Sequence, residues 1–593
     1  MSRPPNLSSK PSNLHSGHYD ATSSSRKSST SVVELQEMHR GRLINRDLTF
    51  PLIEPPEEDI KIERQVSLPL IILGIATVAF LVILLSIMTG TNTQMVGYRV
   101  SDYYISPKGN MYSVALKPIN QQITIPLHGI SKTLTLLRNL NMSIQCYGLN
   151  HLRVSIRDTD SQRWEIPEEY PYSYATGSEF CDYRDLDVVF DIHQKPFSFK
   201  IIRKSTNEPL LNTENFPLIF SKYYMELTTK MPSFDFYGFG ERSDKLQMTP
   251  GSYTIFPKDQ PDTVENGKPG NNLYGQQPVY LMREASGNYH LVLLRNSNAM
   301  EIQIGDDQSL KYQVVGGIFD FQIFLGSKDP ESVVETYHQY LGKWTMPPFW
   351  SLGFHQSKWG YNNVKALNDV MQGYQDYQIP LDVIWSDIDY MMGYLTFTVN
   401  SKSFPPEALK ASLAKFDKRW IPIVDAGIGA YETTENLAYR RGKEMDIFLK
   451  DKAGKASESS VWPGYTVFAD FFHPQAEEYW LEMLHELDNK IPFDGIWLDM
   501  NEIATFCDGP CNGLSTIYDK IPFMPGNISL QHKTVDLEAV HYGNIKEFDA
   551  HSLFNLLQQK ATYSYLILKG GKIFLQFFFG TFLKTPTKFF TKS

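Results

Sequence analysis

The sequence predicts an α+β multidomain protein in three parts: a membrane-spanning helix, an all-β sandwich, and a parallel α/β sheet that is either open or closed as a barrel. Three observations carry this reading. An uncharged apolar run fills 68–88, short alternating stretches broken by turns fill 101–341, and after Pro347 strand-like and helix-like stretches take turns. At 593 residues the chain exceeds one compact domain. With 42% hydrophobic, 13% aromatic and 21% charged residues it is globular, not collagen-like, wholly disordered or many times membrane-spanning. A formal net charge of −10 argues against a nucleic-acid partner, because phosphates select a basic face. Four cysteines exclude a disulfide-built scaffold and leave room for one or two bridges.

Residues 1–67 read as a cytosolic tail. The stretch 23–31 (SSSRKSSTS) has nothing apolar to bury, so disorder is expected, and a solvated tail is preferred to a phosphorylation site. No Asp, Glu, Lys or Arg then occurs between Arg64 and Arg99. Within that gap, 68–88 (LPLIILGIATVAFLVILLSIM) rises about 1.5 Å per residue and so crosses a hydrocarbon layer of roughly 30 Å. A buried core helix would carry a polar face, which the run lacks, and a cleaved signal peptide would start near the N-terminus. A single-pass type II signal anchor is expected. Its flanking charges are balanced, Lys61 and Arg64 against Arg99 and Lys108, so the orientation rests on features further along.

The segment 89–345 is expected to be the sandwich. Strand-like runs at 122–127 (QITIPL), 186–192 (LDVVFDI), 197–202 (FSFKII) and 289–294 (YHLVLL) have the length and spacing of sandwich strands. The GxG in 237–242 (YGFGER) has no helix after it and reads as a turn, not a phosphate cradle.

In 346–549 the candidate strands are 349–355, 381–387, 420–425 and 493–499, and the candidate helices 364–377, 434–450 and 475–489. Three of these strands end in a carboxylate, Asp387, Asp425 and Asp499. Parallel strands gather their C-terminal ends on one face, where α/β barrels place reacting groups. One such Asp can equally cap the next helix. Three in succession, two of them preceded at spacing two by Trp385 and Trp497, favour a shared polar pocket with aromatic walls. Carboxylates with aromatic platforms suit a sugar ring, with hydroxyls at its edge and C–H bonds on its face.

At this point the motifs become recognisable. The stretch 495–502 (GIWLDMNE) resembles the nucleophile motif of glycoside hydrolase family 31, the α-glucosidase family. So do 348–361 (PFWSLGFHQSKWGY), 379–392 (IPLDVIWSDIDYMM), 272–275 (NLYG), 462–464 (WPG) and 549–554 (DAHSLF), in the family's order. The resemblance runs from about Tyr98 to Leu566, and the membrane-anchored members share the overall plan. It implies a galactose-mutarotase-like sandwich followed by an incomplete (β/α)8 TIM barrel, acting as a retaining exo-α-glucosidase on terminal α-linked glucose of oligosaccharides. It further implies Asp499 as nucleophile, with Asp387 and Asp259, the latter on the sandwich loop 256–259 (FPKD), holding hydroxyls of the terminal glucose. Trp359, Ile388, Ile428, Trp462, Trp497 and Met500 would line the pocket. Asp425 is followed by Ala426 and Gly427 where the family has Pro-Ala, a departure at a position that is structural or pocket-lining in the family. No metal or organic cofactor and no protein partner is implied.

Retaining chemistry needs a second, protonated carboxyl about 5–5.5 Å from the first. In the family it lies about a hundred residues beyond the nucleophile. Here 94 residues follow Asp499, and 550–593 holds six Lys and no Asp or Glu. No Arg follows Arg441, so the family's substrate-binding Arg is missing, as is its late His. The stretch 566–583 only faintly resembles the next barrel strand, and the end reads as truncated or out of frame, not as a membrane-surface tail. About four of eight barrel strands are therefore expected, with the acid/base absent and the chain inactive as it stands. The alternative is a catalytically dead, membrane-anchored carbohydrate-binding protein. Cys507 and Cys511 (CDGPC) lack a second Cys or His pair for zinc and suit a short disulfide, with Cys146 and Cys181 forming the other. Sequons at Asn141 and Asn527 on the same side of the anchor support a glycosylated ectodomain, lumenal or extracellular (endoplasmic reticulum, lysosome or vacuole, or cell surface).

Overall fold

The computed structural model describes residues 95–106, 109–168, 181–259, 272–342, 346–570 and 575–577. The predicted tail 1–67 and anchor 68–88 lie outside the described residues, as does the end of the chain from 578. Among the described residues no helix is long and apolar enough to cross a membrane.

Alternating side chains build two antiparallel sheets. In Leu140–Cys146 the apolar residues 140, 142, 144 and 146 are buried and those between are partly exposed, the period of a one-sided strand. It pairs with Met111–Pro118 and His151–Asp158. The sheet continues through Phe319–Leu325, Tyr289–Leu294 and Val279–Arg283 to Phe236–Gly238, with Tyr98–Ile105 at the far edge. The second sheet runs from Gly251–Ile255 through Met300–Ile304, Ser309–Val314, Met225–Lys230, Glu208–Asn212 and Phe197–Arg203 to Val188–Gln194. Met142, Val154, Ile201, Ile302, Tyr312 and Ile323 belong to one core shared by both sheets, and the same core takes in Tyr518, Phe523 and Phe548 from beyond the motif 495–502. The central strand Phe319–Leu325 is buried throughout, Asp320 included. Its two oxygens accept from Arg153 Nε and Nη2 at 2.7 Å each, the pairing a buried carboxylate requires. The strand expected at 186–192 starts at Val188, because Tyr183–Asp185 is a 3₁₀ turn capped by the Asp182 carboxylate. The GxG is a turn at the end of a strand: Gly238 has φ +154°, and a Cβ there would lie 2.3 Å from the Val279 carbonyl.

The second region is a parallel sheet with helices: β1 (His355–Gln356), α1 (Val364–Asp376), β2 (Val383–Ser386), α2 (Pro406–Phe416), β3 (Arg419–Asp425), α3 (Ala476–Lys490), β4 (Gly495–Asp499), α4 (Phe554–Gly570) and β5 (Leu575–Phe577). The strands lie in chain order and every pairing is parallel. Asn363 starts α1 by accepting from Ala366 N at 2.8 Å, and Val364, Leu367 and Met371 bury its inner stripe. In α3 the buried Tyr479, Trp480, Met483, Leu484 and Leu487 repeat at three and four. Trp480 Nε1 donates to Thr562 Oγ1 of α4 at 2.8 Å, fixing the two helices against each other.

Four expectations need correction. The first strand is two residues long, not 349–355: after Pro347 and Pro348, Phe349–Leu352 closes a 3₁₀ turn through Ser351 Oγ, which donates to Pro348 O at 2.7 Å. The helix expected at 434–450 is Leu437–Glu444. Asp446 turns left-handed (φ 51°), and Phe448 and Lys450 enter bridges with Ala469, Ala456 and Val540 instead. The described sheet has five parallel strands, not about four, and the first residues of 566–583 complete α4 before β5 begins. Helix α2 and a small antiparallel sheet (Gly427–Gly429, Gly464–Phe468, Ser459–Val461) were not anticipated. Both predicted disulfides are formed, Cys146 with Cys181 and Cys507 with Cys511.

Candidate active site

The register of β3 on β4 sets Asp425 directly opposite Asp499. Asp387 follows the last residue of β2, so three carboxyls stand at neighbouring strand ends. The two-residue period puts Trp385 and Trp497 on the same side as Asp387 and Asp499. Their rings lie 5.6 Å apart, inclined at 57°, and Trp385 Nε1 donates to His355 Nδ1 of β1 at 3.0 Å. Immediately after Asp499, Met500 adopts φ 59°, a conformation costing a side-chain-bearing residue about 1 kcal/mol. The chain therefore leaves the sheet abruptly at the carboxylate.

Acidity dominates the electrostatics. Burial pushes the Asp499 carboxyl up to about 6; a hydrogen bond from Met500 N–H opposes this, while the charges of Asp387 and Asp259 add to it. Asp425 is buried, and neither of its oxygens has a hydrogen-bond partner among the described residues. Burial first, then the charges of Asp499, Asp387 and Glu502, hold it well above the usual carboxylate range. Glu502 is buried three residues beyond Asp499, and burial together with the Asp499 charge pushes it up to about 8. Asp387 is raised by burial and by Asp389, against the Ile388 N–H that it accepts at 2.7 Å. Carboxyls this crowded titrate as a group. Their negative field favours a ligand or transition state that develops positive charge.

The sandwich contributes the other wall. Asp259 on the loop after Gly251–Ile255 reaches Lys533 Nζ at 3.3 Å. Glu241, from the GxG turn, accepts from Gly275 N at 3.1 Å, and Tyr274 beside it feels the charges of Asp259, Glu502, Asp499 and Glu241. Trp359 and Trp462 are 60% and 40% exposed, with rings 6.2 Å apart; Phe506 adds an edge 5.1 Å from Trp462. Ile388, Ile428 and Met500 are buried in the barrel core beneath. Asn527 is exposed, whereas Asn141 lies within a strand with its amide donating to Ser113 Oγ at 2.7 Å. Among the described residues no cluster of three or more His, Cys, Asp or Glu is arranged to hold a metal ion.

Sequence reasoning missed Glu502, Glu241, Tyr274 and Lys533. Glu502, Tyr274 and Glu241 all stood inside quoted stretches, the last in the GxG segment 237–242 that was read only as a turn. Lys533 gave no signal, because its partner lies 274 residues away.

Residues 344–575 match the TIM-barrel domain of glycosyl hydrolases family 31, and 141–302 match the glycosyl hydrolase 31 N-terminal galactose mutarotase-like domain. A lysosomal acid alpha-glucosidase of Tetrahymena pyriformis is 32% identical over 479 residues, covering 74% of this chain and 52% of that protein. Alpha-xylosidase 1 of Arabidopsis thaliana is 34% identical over 473 residues, covering 71% and 51%. The chain spans about half the length of the curated relatives it matches. Among solved structures, the alpha3-Glc2-bound glucosidase II alpha subunit superposes with a TM-score of 0.62 at 19% identity over 79% of this chain and 56% of that one, a likeness of fold. A sandwich whose loops overhang an acid-lined sheet mouth, and matches to both domains in the same order, have one common explanation: the chain belongs to glycoside hydrolase family 31.

Proposed function

We propose that this chain carries the nucleophile half of a retaining exo-α-glucosidase that removes terminal α-linked glucose from oligosaccharides. The observation that carries the reading is the strand register that levels Asp499 with Asp425, next to Asp387 and beneath the Asp259 loop. Asp499 attacks the anomeric carbon once ionised, forming a glycosyl ester. Its elevated pKa, about 6, leaves it largely ionised at neutral pH. Glu502, pushed up to about 8, holds a proton near neutrality, and Asp425 is raised in the same direction by burial and by its acidic neighbours, which opposes the accumulation of four adjacent negative charges. Asp387 and Asp259 hold glucose hydroxyls, while Trp359, Trp462 and Trp497 face the ring's C–H surface. The proposed setting is a lumenal or extracellular ectodomain, which the two disulfides support.

Cleaving an oligosaccharide also requires a proton donor for the leaving oxygen, and no such role is assigned to the carboxyls described above. The test therefore uses 5-fluoro-α-D-glucosyl fluoride, whose fluoride leaves without a strong acid. Mass spectrometry of the full chain is expected to find one glycosyl adduct on the peptide containing Asp499, lost in Asp499→Asn. A label on any other peptide refutes the assignment. Binding of a glucose-configured iminosugar without labelling supports the carbohydrate-binding alternative.

A further inference from the structure

A buried string of acids and imidazoles runs from the barrel to the sandwich, outside the carboxyl cluster. Asp470, just beyond the strand Gly464–Phe468, bonds His541 Nδ1 at 2.7 Å. His541 Nε2 bonds Glu547 at 2.7 Å, and the other Glu547 oxygen bonds His551 Nδ1 at 2.7 Å. His551 Nε2 lies 2.7 Å from the carbonyl of Pro257 and donates to it. All four side chains are almost completely buried. The His551 ring also stacks on Phe256, centroids 4.4 Å apart and 27° inclined. Phe256 and Pro257 are the root of the loop that presents Asp259. Thr534 joins the string to the nucleophile's own loop: its hydroxyl lies 3.3 Å from His551 Nδ1 and donates to Ile503 O at 3.1 Å. The next residue back is Lys533, which pairs with Asp259.

Each link has a directional reason. A carbonyl only accepts, so His551 Nε2 must carry a proton to meet Pro257. Glu547 uses one oxygen for each histidine, so neither ring can rotate without leaving a buried acceptor unpaired. Nothing in this string reaches the sugar position. It sets where a backbone carbonyl two residues before Asp259 must sit.

We propose that His551, held by Glu547, His541 and Asp470, is a positioning residue that locks the sandwich loop 256–259 so that Asp259 faces the strand-end carboxyls. This rests on the reading of Asp259 as a sugar-binding residue. The test uses the full chain, His551→Phe, which keeps the stack but removes both ring nitrogens, and His551→Gln, whose amide can still donate to Pro257. Two readouts are taken: hydrogen exchange of the peptide containing 256–259, and calorimetric affinity for the iminosugar 1-deoxynojirimycin. His551→Phe is expected to speed loop exchange and weaken binding about tenfold, with His551→Gln recovering most of both. In an Asp259→Asn background His551→Phe is expected to weaken binding no further, whereas a general loss of structure would lower affinity in either background. Unchanged loop exchange in His551→Phe, or additive losses, overturns the proposal. Should the unmutated chain fail to bind the iminosugar, the sugar-site reading fails and loop exchange alone decides the lock. Should neither variant fold, proton NMR of the unmutated chain decides: a downfield, slowly exchanging imidazole N–H assigned to His551 supports the lock, and its absence overturns it.

Discussion

Raising the pH should dismantle the buried string at His541. The ring is enclosed, and burial alone would lower its pKa; the hydrogen bonds and charges of Asp470 and Glu547 outweigh that and push it up to about 9. Its folded pKa therefore exceeds the unfolded value of about 6.5. The stabilisation is complete below about pH 6.5 and is lost as pH rises through about 9. A difference of about 2.5 units corresponds to roughly 3 kcal/mol. Glu547 has the opposite sign: burial raises its pKa, but the bonds from His541 and His551 win and lower it. Its contribution is present above its ordinary value of about 4.5 and fades as pH falls through the folded one. The groups facing His541 are Asp470 and Glu547, with His551 beyond Glu547 and the Phe472 ring 5.0 Å away. Urea denaturation of the full chain, followed by tryptophan fluorescence, should show the midpoint falling by about 1 M between pH 6.5 and 9.5 if the urea dependence is near 3 kcal/mol per M. The control is His541→Phe, which leaves two buried carboxyls without their shared partner and is expected to cost about 3–5 kcal/mol while removing the decline in that window. An equal decline in both proteins would refute the reasoning.

Labelling of Asp499 should accelerate as pH rises through about 6, because only the ionised carboxylate attacks; a rate that falls over that range would contradict it. Glu502→Gln should leave labelling at pH 7 within about threefold, since a carboxyl pushed up to about 8 is already mostly neutral there, but should abolish any limb near pH 8; pH–rate profiles of the two proteins check this. Lys533→Met should change iminosugar affinity by less than about fivefold, in a salt-sensitive way, because Lys533 and Asp259 are 39% and 31% exposed and such pairs contribute under about 1 kcal/mol. Trp462→Ala, at a half-open ring, should reduce maltotriose affinity about tenfold by calorimetry with little change in the urea midpoint.

Much of the site was legible because periodicity is a local property. Alternation such as that at 140–146 states which face is buried, and a parallel strand must deliver its last residue to the same end as its neighbours. Asp387, Asp425 and Asp499, the paired tryptophans and the Cys507–Cys511 disulfide followed from short stretches of chain, and the Cys146–Cys181 bridge from the two cysteines that remain. Where local pattern and surroundings disagreed, the surroundings won. Residues 446–450 carry helix-compatible side chains but enter bridges to 456, 469 and 540, and the prolines before Phe349 shorten the first strand to two residues.

By itself, then, the amino-acid order determined a sandwich followed by parallel βα units, with acidic strand ends, since each of these needs only neighbours a few residues apart. Tertiary structure alone decided that Asp425 would face Asp499 with no hydrogen-bond partner among the described residues, that Lys533 would reach Asp259 across 274 positions, and that His551 would meet Pro257 across 294. The physical reason is that charge, burial and hydrogen-bond pairing depend on distance in space, which the spacing of residues along a chain does not encode.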